Sequence, residues 1–131
     1  MKNISVAVKA IILNDEGKIL AIRRSATDPS RPLTWDVPGG EVEEGEDLEE
    51  SILREIKEEV GITVSNIEIF DAVGSYNKKG EYWIGIGYKA KAIETNVILS
   101  FEHDQYEWLT KEEFLQRESS GKLVRFVEKL L

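Results

Sequence analysis

One short stretch of this chain constrains the rest. Between Glu41 and Glu59 stand ten acids (Glu41, Glu43, Glu44, Glu46, Asp47, Glu49, Glu50, Glu55, Glu58, Glu59) against two bases, Arg54 and Lys57. The full chain has 25 acidic and 17 basic residues, so the remainder carries fifteen of each sign and the whole formal net charge of −8 lies here. In the same stretch Leu48, Ile52, Ile56 and Val60 recur every four residues, the spacing of one apolar helical face. Asp47 is placed to cap that helix, with Glu50 three residues on to complete a capping box, and Gly61 is placed to end it.

At about 100° per residue, setting Glu55 at zero puts Glu58 near −60° and Glu59 near +40°, an arc of roughly 100°. Ser51, one turn earlier, is small and leaves that arc open. The apolar residues fall between roughly 20° and 140°, so the carboxylate stripe borders the buried face. Like charges three and four apart repel, more so when partly desolvated. The cluster therefore calls for positive charge. Arg54, near −100°, reaches the Glu58 side, but one guanidinium does not neutralise three carboxylates. Hard oxygen ligands with no Cys and no nearby His point to Mg²⁺ or Mn²⁺. A solvated acidic face is the ordinary reading of a charge run, and charge alone leaves both open.

Around this helix the chain reads as one domain, residues 1–131, of mixed α/β (α+β) class. Residues 4–13 read as a strand, 14–17 as a turn and 18–23 as the hairpin partner. Residues 25–38 hold Pro29, Pro32 and Pro38 and read as a loop, followed by short strand around Glu41 and Val42. Two longer strands are expected at 62–75 and 82–92, joined by a turn at 77–80, and a short one at 107–109. Amphipathic helices at 111–118 and 122–131 close the chain.

Several functions are excluded on composition. Without cysteine there are no disulfides, thiolate zinc sites or cysteine nucleophiles. A pI near 4.8 argues against nucleic-acid binding, which needs a basic surface. The N-terminal segment alternates polar and apolar residues around Lys9 and lacks the apolar core of a signal peptide. Nothing approaches the roughly 20 apolar residues of a membrane span. The expectation is a protein of the reducing cytoplasm with no membrane partner.

From Gly40 the chain runs five residues to Glu46, then seven to Arg54-Glu55-Ile56-Lys57-Glu58-Glu59-Val60-Gly61-Ile62. This resembles the Nudix box, G-x5-E-x7-R-E-U-x-E-E-x-G-U with U apolar, and every constrained position matches. Trp35-Asp36-Val37-Pro38-Gly39-Gly40 is similar to the family's usual approach to the box. The resemblance implies an α/β/α sandwich with a mixed central sheet and the box as loop–helix–loop. It implies a hydrolase of phosphoric anhydrides that cleaves a diphosphate bond by water attack on phosphorus. By position, Glu55, Glu58, Glu59 and the Gly39 carbonyl would be metal ligands. Arg54 would orient the carboxylates, Glu46 would fix the loop and Arg54, and Gly40 and Gly61 would be conformational.

Phe101-Glu102-His103-Asp104-Gln105-Tyr106-Glu107-Trp108 is similar to the E-H-x-x-Y-x-W segment of many members, which makes Glu102 a further ligand or general base. His103 reads as a hydrogen-bonded structural residue positioning that loop. Arg23 and Arg24 are candidates for the substrate's phosphates, and Trp35, Tyr76, Tyr82 and Trp83 for stacking on a base. An exposed strand end and core aromatics are the plain alternatives.

Within the family, the resemblance favours the MutT-like nucleoside triphosphate pyrophosphohydrolases, releasing monophosphate and pyrophosphate with Mg²⁺, or Mn²⁺, from a monomer or homodimer. The alternatives are a nucleotide-sugar, ADP-ribose or dinucleoside polyphosphate hydrolase. Against ADP-ribose, that subgroup usually carries a proline some fifteen residues past the box, and none follows Pro38 here. From another class comes a Nudix-like domain that senses a nucleotide without cleaving it.

Overall fold

A computed structural model describes residues 3–130, so the expectations for Met1, Lys2 and the helix end at Leu131 lie outside the described residues. In chain order the elements are β1 (Ile4–Leu13), β2 (Ile19–Arg24), β3 (Trp35–Asp36), β4 (Gly39–Glu41), α1 (Leu48–Val60), β5 (Val64–Tyr76), β6 (Tyr82–Ala92), β7 (His103–Leu109), α2 (Lys111–Leu115) and α3 (Gly121–Glu128). The strands form one sheet in the order β3-β2-β1-β6-β5, with β4 added to β1 and β7 to β2. β1 and β6 run parallel and the other pairs antiparallel, which makes the sheet mixed.

Both faces of the sheet are covered, and the central strands show why they are apolar throughout. Val8, Ala10, Ile12, Leu20 and Ile22 share one core with Ile52, Ile56 and Val60 of α1. Ile11, Ile19 and Ala21 share another with Phe114 of α2 and Leu123 and Phe126 of α3. Alternate residues of β1 and β2 thus feed opposite layers, and the result is the expected helix–sheet–helix sandwich. Among the described residues no helix is long and apolar enough to cross a membrane.

The acidic helix is set by its own ends. Asp47 accepts from the Glu50 N–H at 3.1 Å. Gly61 sits at φ 68°, and its N–H donates to the carbonyls of Ile56 and Lys57. That left-handed angle is the one glycine adopts freely. The full reciprocal capping box forms instead at Thr110 and Glu113, opening α2. Ser51, expected to leave the carboxylate arc open, is itself fully buried.

Three expectations change. Residues 25–38 are not all loop, because Trp35 and Asp36 pair with Arg23 and Ile22 as β3. The last strand begins at His103 rather than Glu107, running antiparallel to β2 from Arg24 to Ile19. Its middle is polar and exposed, so main-chain pairing defines it where side-chain alternation does not. The closing helices are shorter: Gln116 ends α2, and Ser120 starts α3 by accepting from the Leu123 N–H.

Candidate active site

β1 changes partner along its length. It pairs with β4 at Ala7, Val8 and Lys9 and with β2 at Leu13, so β2 and β4 part from a common strand. A cleft of about 400 Å³ lies at this split. Glu55, Glu58 and Glu59 of α1 and Glu102, just before β7, line it together with Lys9, Arg24, Asp28, Asp36, His103, Gly39 and Gly40. The volume falls in the range of ligand sites, and the lining is almost wholly polar.

Arg54 gathers the acids of the box. Its Nε donates to Glu46 at 3.1 Å, and its Nη1 donates to both Glu55 and Glu58 at 3.2 Å. Glu46 also accepts from the Glu43 N–H at 2.8 Å, which ties the loop to the helix. Space accounts for Gly40: a Cβ there would stand 2.7 Å from a carboxylate oxygen of Glu55. A Cβ on Gly39 would run into the carbonyl of Val8. Gly61 has a left-handed angle, whereas Gly40 has none and leaves the room that a side chain would take from Glu55.

Glu59 is buried and accepts from the Gly39 N–H at 3.0 Å. Burial pushes its carboxyl up to about 8, against the help of that hydrogen bond and of Lys9. Glu55 is also raised, first by burial, with Glu58 and Glu102 adding to it and Arg54 opposing. Two of the three helix carboxylates are therefore short of positive charge.

Sequence reasoning named Arg24 at this cleft and missed Lys9, Asp28 and Asp36 beside it. Asp36 is buried and holds two cations, Lys9 Nζ at 3.0 Å and Arg24 Nη2 at 2.8 Å. Burial acts to raise the Asp36 carboxyl, and the two cations outweigh it and hold it below the usual range. Arg24 also reaches Asp28 at 3.2 Å. One signal was available, since Lys9 is a charge in the middle of an apolar strand. His103 is buried beside them, and its Nδ1 has no hydrogen-bond partner, contrary to the hydrogen-bonded role expected of it. Burial holds its imidazole below the ordinary value.

Of the substrate candidates, only Arg24 lines the cleft. Arg23 turns to Asp104 in a two-pronged pair at 2.9 Å. Trp35 is core rather than a stacking platform: it is buried beside Phe114, with the Arg117 guanidinium 4.6 Å from its ring centre. Tyr76, Tyr82 and Trp83 sit at the β5–β6 hairpin and do not line the cleft; Tyr76 and Tyr82 meet edge to face at 5.0 Å, and Lys122 stands over Trp83.

The donor chemistry fits a hard divalent cation: carboxylate oxygens on one helix, a fourth carboxylate just before β7, and a deficit of positive charge. As the side chains stand, no three His, Cys, Asp or Glu of the described residues are gathered to hold an ion. Glu55 and Glu58 are turned to Arg54 instead, and Glu59 to Gly39.

The mixed-sheet sandwich thus presents an arginine-bound carboxylate helix at a polar cleft. Residues 4–130 match the NUDIX domain model, and the chain belongs to that family. Nudix hydrolases act on diphosphate bonds of nucleotides and generally use a divalent metal. The structure is similar to the MutT protein of Methanosarcina mazei Go1, with TM-score 0.85 and 33% identity over 98% of this chain and 93% of that one. A MutT-like protein of Streptomyces ambofaciens is 29% identical over 96% of this chain and 77% of its own length. The 8-oxo-dGTP diphosphatase of Escherichia coli (strain K12) is 39% identical over 54% of this chain and 54% of its own.

Proposed function

We propose that this chain is a Mg²⁺-dependent nucleoside triphosphate pyrophosphohydrolase, one domain acting in the cytoplasm as a monomer or homodimer, with Mn²⁺ an acceptable substitute. The observation that carries this reading is that Glu55, Glu58, Glu59 and Glu102 line one cleft together with Lys9 and Arg24. The similarity to a protein named an 8-oxo-dGTP diphosphatase supports a triphosphate, and makes an oxidised guanine nucleotide the first to try.

Glu55, Glu58, Glu59 and Glu102, with the Gly39 carbonyl, would hold the cation, which when bound neutralises phosphate charge and polarises phosphorus. Arg54 keeps Glu55 and Glu58 in place, and Glu46 keeps Arg54. Arg24 and Lys9 supply positive charge for the phosphate chain. A water oxygen attacks phosphorus in line, the bond to the bridging oxygen breaks, and pyrophosphate leaves with that electron pair. A carboxylate at the cleft takes the water's proton; Glu102 is the residue assigned to that step, with a box glutamate the alternative.

The test is release of monophosphate and pyrophosphate from a panel of nucleoside triphosphates, ADP-ribose, nucleotide sugars and dinucleoside polyphosphates, with Mg²⁺ and then with EDTA. Turnover of a triphosphate that EDTA abolishes is expected. No turnover of any substrate would sink the reading in favour of a nucleotide sensor.

A further inference from the structure

Among the described residues, the cleft has no Phe, Tyr, Trp, Leu, Ile or Val in its lining. Charged and hydrogen-bonding groups suit a polyphosphate, but they give a flat heterocycle nothing to lie on. The aromatic candidates from sequence do not supply the surface, since Trp35 is core and Tyr76 and Trp83 are at the hairpin.

A second, smaller recess of about 120 Å³ adjoins the cleft and shares Asp28 and Glu102 with it. Its other lining residues are Ser25, Thr27, Pro29 and Phe101. Phe101 is 91% exposed, the highest value among the exposed large apolar side chains of the described residues. A bare phenyl ring in water forgoes the stabilisation that burial gives it, and here it stands next to a candidate catalytic glutamate. The recess is also well anchored. The Ser25 N–H donates to the Glu102 carbonyl at 3.0 Å, and Asp28 accepts from the N–H groups of Ser30 and Arg31 at 2.9 Å. The Ser25 and Thr27 hydroxyls lie 3.1 Å apart and offer donors and acceptors to a polar edge.

We propose that Phe101, with Pro29 in the same recess, is the stacking surface for the base of the nucleotide, and that Ser25 and Thr27 meet the edge of the base or its ribose. This rests on the reading of the cleft as a nucleotide site and names the part of that site that recognises the nucleoside. The phosphates lie on the charged cleft, and the base leaves it past Glu102 onto the Phe101 ring. Stacking is tolerant of base identity, so Phe101 sets preference for a nucleoside over a bare sugar phosphate, and the hydroxyls set preference among bases.

Binding to the full chain separates this from an idle loop residue. Calorimetry with Mg²⁺ compares AMP and GMP with ribose 5-phosphate for the parent protein, Phe101→Leu and Phe101→Trp. The parent prefers the nucleotides; Phe101→Leu lowers that preference by about ten-fold or more, and Phe101→Trp keeps it. Nucleotide also quenches the emission that Phe101→Trp adds over the parent, and ribose 5-phosphate does not. The residue is exposed, so both variants fold as the parent does, which circular dichroism checks. An unchanged preference in Phe101→Leu, an unquenched indole, or a parent that binds sugar phosphate as well as nucleotide each overturns the proposal. If the preference collapses in Phe101→Leu but no nucleotide is hydrolysed, the stacking surface stands and the hydrolase reading fails. Hydrolysis with an unmoved preference gives the reverse.

Discussion

The backbone N–H of Gly39 donates to Oε1 of Glu59 at 3.0 Å, joining the last turn of the acidic helix to the short strand that carries the glycine pair. Both ends of this contact sit at the cleft, and Glu59 is only 7% exposed there. A carboxylate so placed has one backbone donor and little solvent. Its carboxyl is strongly perturbed, which is what a ligand-binding carboxylate looks like before its counter-charge arrives.

Glu59→Gln separates charge from shape. The amide oxygen still accepts from Gly39, so the fold is retained, while kcat on the best nucleotide falls by roughly 10²–10³-fold. Steady-state kinetics beside circular dichroism checks this. A near-normal rate removes Glu59 from the site.

Stability of the metal-free protein carries the same signature. The Glu59 carboxyl rises from an ordinary 4.5 to about 8 on folding, because burial disfavours its charged form. A raised carboxyl stabilises the fold in full below the unfolded value, and that contribution is lost as pH rises through the folded value. His103, held low by burial, works the opposite way, favouring the fold as pH rises past its unfolded range. In EDTA, the melting temperature of Glu59→Gln should therefore gain on the parent between pH 5 and 8. Parallel melting curves across that range would contradict the burial argument.

The two glycines should fail differently. Gly40→Ala sets a methyl against the far end of a flexible side chain, Glu55, which can swing aside. Activity falls and the melting temperature barely moves. Gly39→Ala meets the Val8 carbonyl, which cannot move without the sheet. That variant loses stability as well, read by thermal unfolding.

Lys9→Met removes one of the two cations on buried Asp36. Breaking a buried pair leaves an uncompensated charge, and with Arg24 still in place the loss is about 2 kcal/mol. Arg23→Met breaks a pair with Asp104 at the surface, and its effect on urea unfolding should be lost in the scatter. Equal effects would mean that Asp36 does not depend on the Lys9 charge.

Glu102→Gln tests the proton acceptor. If the loop glutamate takes the water's proton, kcat falls by about 10²-fold or more in steady-state assays. A rate within two- or three-fold of the parent hands the role to the box.

Much of the box was legible because its interactions are local. The four-residue apolar repeat, the Asp47 cap and the Gly61 stop are set within a few residues of each other. Arg54 meets Glu55, Glu58 and Glu46, all within two or so helical turns. β7 was cut short because its first residues are polar, and only the backbone of β2 makes them a strand. Trp35 stood between a stacking role and the core, because an aromatic residue beside a glycine-rich loop looks the same in sequence whether it lines a site or plugs a core, and the structure puts it in the core.

What the amino-acid order determined by itself is thus the carboxylate helix and its caps, and, through the box they form, the family to which the chain belongs. Helical periodicity is a short-range property, and it survives whatever the rest of the chain does. Tertiary structure alone decided the buried Lys9–Asp36 pair in the same cleft. Lys9 and Asp36 are 27 residues apart, and they meet because β1 parts from β2 to pair with β4. Contacts of that range depend on strand pairing and register, which spacing along the chain does not encode.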